Sequence, residues 1–231
     1  MFGTSYTGNV TYRSASEINT AMGRVYGHMG LAVLTSMIVS LLVSSNTALM
    51  TFFFTGVMKW IVIFAPLVAI FAISWFMSQD GLAKGVYQLC LHGFAALMGL
   101  SFATIFVVYQ VGSIVSAFMG AAILFALMSG YGYFTKQSLD SWGKFLLVGL
   151  IAIIIASIVN IFIGSSVMQM VISAIAIIVF LGLTAYDTQK IREELSISTS
   201  EAAEVRGALS LYLDFINLFL SLLQLFGGKK E

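Results

Sequence analysis

Charge is scarce in this chain. Only 9% of its 231 residues are Asp, Glu, Lys or Arg, while 59% are hydrophobic. A water-soluble domain of this size needs far more ionised side chains to cover its surface. Disorder is excluded for the same reason, because unfolded chains are poor in apolar residues. Cysteine occurs once and proline once. The single cysteine, Cys90, excludes a disulfide framework and a cysteine-built metal site, and it reads as a small buried hydrophobe. Basic and acidic residues nearly cancel, at 11 against 10. No basic cluster grips phosphates, so nucleic acid is not an expected partner. No HExxH or paired-His spacing supports zinc. The partner that the composition demands is a lipid bilayer.

A spanning helix takes roughly 20 mainly apolar residues. Seven such runs are present, at about 25–45, 57–77, 86–109, 113–134, 144–164, 167–187 and 208–227. The fold class is therefore an all-α polytopic membrane protein with seven transmembrane helices. The domain reading is a tail at 1–24, one transmembrane domain at 25–228 and a short tail at 229–231. The opening residues lack the apolar core of a cleavable signal, so the first span is expected to act as its own. Residues 15–24 are expected to form a short surface helix before that span. "LMTFFFTGVMKW" has the character of an interfacial segment, and 188–207 reads as a long charged loop. Six spans plus one suggest two inverted three-helix units and a final helix. The only sequence echo between the units is "GLS" (99–101) against "GLT" (182–184).

Basic residues in short connections set orientation. With the N-terminus inside, Arg13, Arg24, Lys84, Lys136, Lys144, Lys190, Arg192 and Arg206 are inner, while Lys59, Lys229 and Lys230 are outer. The expectation is a cytoplasmic N-terminus and an external C-terminus.

Within the spans, ionisable residues reduce to His28, His92, Asp187, Asp214 and, near an outer end, Lys59. A charged side chain at the centre of a lipid span costs ~2.5–3.5 kcal/mol on insertion scales, and intramembrane carboxylates are functional by default. Asp187 closes the sixth span and Asp214 lies two turns into the seventh, so both sit at similar depth below the inner surface. Two carboxylates close together in a low dielectric share a proton and titrate as a unit. The helix dipoles are expected to make the two unequal. The pair is a candidate pH sensor and gate, and a weak site for a hard cation. Asn160 and Asn217 read as interhelical hydrogen-bonders, with Asn217 one turn from Asp214. His92 reads as a packing residue. Gly93, Gly99, Gly120, Gly130 and Gly132 read as points of close helix approach.

"GLTAYDTQKI" (182–191) and "GALSLYLDFINLFLSLLQLFG" (207–227) together resemble the Bax inhibitor family, the transmembrane Bax inhibitor motif proteins, and their bacterial members in particular. "YGYFTKQSL" (131–139) and "ASIVNIF" (156–162) add support, and the likeness runs over nearly the whole chain. The resemblance implies two three-helix layers around a central last helix. It also implies a hydrogen-bonded aspartate pair, falling on Asp187 and Asp214, that governs a pH-dependent calcium leak, with calcium as permeant ion and no other cofactor. The location implied is a bacterial cytoplasmic membrane. Some bacterial relatives latch the pair with a basic residue at the inner end of helix two. Here that position is Ser78, which is neutral, and Lys84 follows six residues later.

The rival reading is a membrane interaction protein without ion flux, acting on membrane-protein partners through helix faces or the 188–207 loop. A coupled ion/solute transporter is a further alternative. An intramembrane aspartyl protease is suggested by Tyr186-Asp187, but those enzymes need GxGD at the second aspartate and this chain reads "LYLD" (211–214). The expectation is a non-enzyme, with Tyr186, Asn160 and Asn217 as a polar seam beside the aspartates.

Overall fold

The computed structural model describes residues 13–77, 83 and 85–230. They form eight helices: α1 (Ala15–Ser44), α2 (Thr47–Phe54), α3 (Met58–Met77), α4 (Val86–Val108), α5 (Val111–Phe134), α6 (Asp140–Ile163), α7 (Ser166–Ile197) and α8 (Glu201–Phe226). All except α2 are long and apolar enough to cross a membrane. Seven crossings put the start of α1 and the end of α8 on opposite faces, called here the near face and the far face. The Ser78 position and Lys84 lie outside the described residues.

Three helices, α1, α7 and α8, run further than the hydropathy predicts. The expected surface helix at 15–24 is continuous with the first span, giving α1 a length of 30 residues, ~45 Å. Ser14 starts it with a capping box: its hydroxyl accepts from the Glu17 amide, and Glu17 accepts from the Ser14 amide. No proline follows to break it. Likewise the sequence after Asp187, "TQKIREELSI", is built from helix formers with no glycine or proline, so α7 continues to Ile197. The expected loop at 188–207 shrinks to Ser198–Ser200, where Ser200 caps α8 by accepting from the Ala203 amide at 3.2 Å.

α8 is the centre. Seventeen of its 26 residues are buried, against only Leu146 and Asn160 in the 24 of α6. Around it α4 packs on α1 and α3, while α7 packs on α5 and α6, and α8 touches members of both groups. These are the two three-helix layers and central last helix that the family resemblance implied. In each layer a glycine meets the backbone of a neighbouring helix. A Cβ on Gly99 (α4) would lie 2.5 Å from the Ser36 carbonyl oxygen of α1, and one on Gly132 (α5) would overlap the Ala185 carbonyl of α7. Gly93 and Gly130, expected to serve the same purpose, face open space.

The only proline shows how a broken helix is repaired in lipid. Pro66 lies inside α3 and has no N–H for the carbonyl four residues earlier. That carbonyl belongs to Val62, and the Ser101 hydroxyl of α4 donates to it at 2.9 Å. A freed backbone group inside a membrane needs such a partner.

Candidate functional site: an acidic pair on the central helix

α8 carries a stripe at alternating spacings of three and four: Gly207, Ser210, Asp214, Asn217 and Ser221. Such positions share one helix face. Gly207 brings α8 close to α7, because a Cβ there would meet the Ile191 side chain at 2.8 Å. One turn further, the Ser210 hydroxyl donates to the Asp187 carboxylate of α7. Another turn on is Asp214, only 4% exposed. Its Oδ2 is fully buried and has no hydrogen-bond partner among the described residues. Asp187 is close enough to act on it electrostatically.

The two aspartates are thus neighbours across the α7–α8 contact. They differ in detail from the expected pair. Asp187 takes its hydrogen bond from Ser210, and no direct bond joins it to Asp214. The expected dipole asymmetry also falls away. Asp187 stands ten residues before the end of α7 and Asp214 thirteen after the start of α8, whereas the dipole acts within the terminal turns.

Of the three expected supporting residues, Asn160 and Tyr186 lie away from the pair. Asn160 is at the far face, where its Oδ1 accepts from the Ser165 amide at 3.1 Å and its Nδ2 donates to Gln169 at 3.2 Å. Gln169 in turn donates to Gln224 of α8 at 2.7 Å. This amide chain ties α6, α7 and α8 ~27 Å along α7 from Asp187, at 1.5 Å per residue. Tyr186 points to α6, where its ring fills the space left by Gly143, and Lys190 sits 5.6 Å over it. Asn217 shares the face of Asp214 but bonds back to the Leu213 carbonyl at 2.8 Å. His92 pairs with Thr35 at 3.0 Å, and Cys90 is half-buried against the core.

The sequence reading did not single out Ser210, nor two groups of contacts away from the aspartates. One is a buried hydroxyl junction: Tyr212 and Ser36 are hydrogen-bonded at 2.7 Å, and Ser36 also reaches the Ala95 carbonyl at 2.8 Å, joining α8, α1 and α4. The other is a near-face ionic belt. Glu204, buried in the first turn of α8, receives two hydrogen bonds from Arg24 of α1 at 2.7 and 2.6 Å, and Arg13 lies 3.9 Å away. Arg206 donates to Glu194 at 2.8 Å and to the carbonyl of Met77, the last residue of α3, at 3.1 Å. The charges expected in a free loop therefore bind the near-face ends of α1, α3, α7 and α8 together. Among the described residues no group of three or more His, Cys, Asp or Glu side chains could hold a metal ion.

A seven-span helical bundle with a buried acidic residue on its central helix defines an integral membrane protein built around an intramembrane polar site. Residues 18–231 match the family model described as inhibitor of apoptosis-promoting Bax1, and the chain belongs to that Bax inhibitor family. It is 39% identical over 220 residues to the inner membrane protein YbhL of Escherichia coli K12, covering 92% of this chain and 93% of that one. It is 34% identical over 217 residues to a Deinococcus radiodurans protein, covering 92% of each. A Rickettsia prowazekii protein, RP147, is 34% identical over 235 residues, or 98% of this chain and 99% of its own length.

Proposed function

We propose that this protein is a passive, pH-sensitive cation leak of a bacterial inner membrane, with calcium as the permeant ion and the Asp187–Asp214 pair as its gate. The observation that carries the reading is the buried Asp214 carboxylate oxygen, which has no hydrogen-bond partner. A carboxyl group buried without partners in low dielectric either keeps its proton and stays neutral or, once ionised, needs a cation beside it. Asp187 beside it adds a second negative charge when both lose their protons. The pair then either pushes α7 from α8 or takes up a cation. Two carboxylates are too few oxygens for a tight calcium site, which takes six to eight. Weak binding suits a leak, because an ion held tightly would not leave. The N-terminus is assigned to the cytoplasm and the C-terminus to the outside on the distribution of Lys and Arg. The interaction-protein alternative keeps a surface here: only Ser198–Ser200 is left as a loop, but Lys190, Arg192 and Glu193 on α7 stay exposed.

The test is calcium flux into proteoliposomes as a function of pH. Asp214→Asn and Asp187→Asn keep size and a hydrogen-bonding group but remove the titration, so both should abolish the pH dependence. Wild-type pH profiles in both variants would refute the paired gate.

A further inference from the structure

Away from the aspartates, in the far-face half of the bundle, a cavity of about 220 Å³ opens between α1, α4 and α5 with α8 as its floor. Its walls are almost entirely hydrocarbon. The two hydroxyls on its lining, Ser36 and Ser40, are already engaged, Ser36 with Tyr212 and Ala95 and Ser40 with the Met37 carbonyl at 2.9 Å. No free polar group is left for water, and apolar cavities of even about 150 Å³ stay dry and take up hydrocarbon. The cavity exists because the two three-helix layers meet mainly through α8, with α4 barely touching α5.

We propose that this groove binds one acyl chain of an anionic phospholipid from the far-face leaflet. Three observations select that occupant. First, the mouth is formed by side chains that face lipid: Met37 and Leu41 on α1 and Val115 and Met119 on α5 are 41–55% exposed. Second, the length fits. From Val111 at the far end of α5 to Met119 is eight residues, ~12 Å, against ~15 Å for half of a ~30 Å hydrocarbon core. Third, two cations stand at the interfacial end. The Lys230 ammonium donates to the carbonyl of Phe106, a lining residue, at 2.7 Å with donors to spare, and Lys229 beside it is exposed. An ammonium there meets a lipid phosphate while the chain lies against Ile216 and Phe219. This proposal is independent of the leak reading.

The full-length protein in lipid nanodiscs tests it, using phosphatidylglycerol with a photoreactive diazirine halfway along one acyl chain and mass-spectrometric mapping of the adducts. Adducts are expected deep in the groove, at Ile216 or Phe219 on the floor or at Ile114 beside it on α5, which are only 3%, 7% and 8% exposed. Val115→Trp, which fills the mouth, should cut floor labelling several-fold. The same probe on phosphatidylcholine should label the floor several-fold less. Lys229→Ala/Lys230→Ala, on the exposed surface and outside the core, should bring phosphatidylglycerol down to that level. Adducts confined to open lipid-facing residues such as Phe71 and Phe145 would overturn the groove as a lipid site. Equal floor labelling by both lipids would overturn its anionic occupant.

Discussion

Arg24 of α1 holds Glu204 of α8 through two parallel hydrogen bonds, 2.7 and 2.6 Å long, 180 residues apart in the chain. The carboxylate is buried while the guanidinium is half-exposed. Removing the arginine therefore strands the expensive partner. Breaking a buried pair from one side costs ~3–5 kcal/mol, and partial exposure together with Arg13 nearby should hold Arg24→Ala to the low end. Glu204→Gln strands no carboxylate, but it takes the countercharge from Arg13, whose side chain is only 11% exposed, so it should cost at least as much as Arg24→Ala. Thermal unfolding in detergent checks the order, and a smaller cost for Glu204→Gln would mean that Arg13 does not depend on the carboxylate.

Gly132 and Ala185 set the distance between α5 and α7. Val at 132 would force the Ala185 carbonyl away, and overpacking of this kind costs ~1–3 kcal/mol. Gly130, on the same helix but facing open space, should accept Ala with little change in melting temperature. Equal tolerance at both positions would show that the crossing is looser than described.

The repair at Pro66 makes a double-mutant prediction. Ser101→Ala leaves the Val62 carbonyl without a donor, and hydrogen bonds between membrane helices average ~0.6 kcal/mol with a maximum near ~1.7. Pro66→Ala restores the missing N–H, so the serine should matter less in that background. The two substitutions should be non-additive in unfolding free energy. Additive costs would mean that Ser101 acts through its other bond, to Leu97.

Hydropathy was enough to find the seven spans and place Asp187 near Asp214, because a bilayer forces long apolar runs and their direction alternates. It says little about where a helix ends in water, so α7 and α8 were drawn too short and the helix-dipole argument rested on ends that do not exist. Residue type alone also misplaced the supporting cast. Asn160 sits at the far end of its span, and depth counting excludes it from the site. Tyr186 is ~100° around the helix from Asp187, which turns it to α6. Ser210 was readable: the 3–4 stripe from Gly207 to Ser221 marks the face of α8 that carries Asp214. Arg24 with Glu204 was not readable, since no local pattern announces a contact across 180 residues.

Ser210 is the residue through which the proposed gate can be probed without deleting a carboxylate. Its hydroxyl donates to Asp187, one turn from Asp214, and a donor aimed at a carboxylate changes the balance between its charged and neutral forms. Ser210→Ala removes the donor while leaving both aspartates and the helix intact, since alanine is the better helix former. If the pair controls flux, the variant should still leak and still respond to pH, with its midpoint moved from that of the wild type. Ser210→Thr keeps the hydroxyl and should bring the midpoint back. The readout is the pH at half-maximal calcium flux in proteoliposomes, which a general loss of stability would not shift in one variant and restore in the other. A midpoint unmoved in Ser210→Ala would disconnect the serine from the gate. A shift that Ser210→Thr fails to reverse would assign the effect to packing against α7 instead of the hydrogen bond.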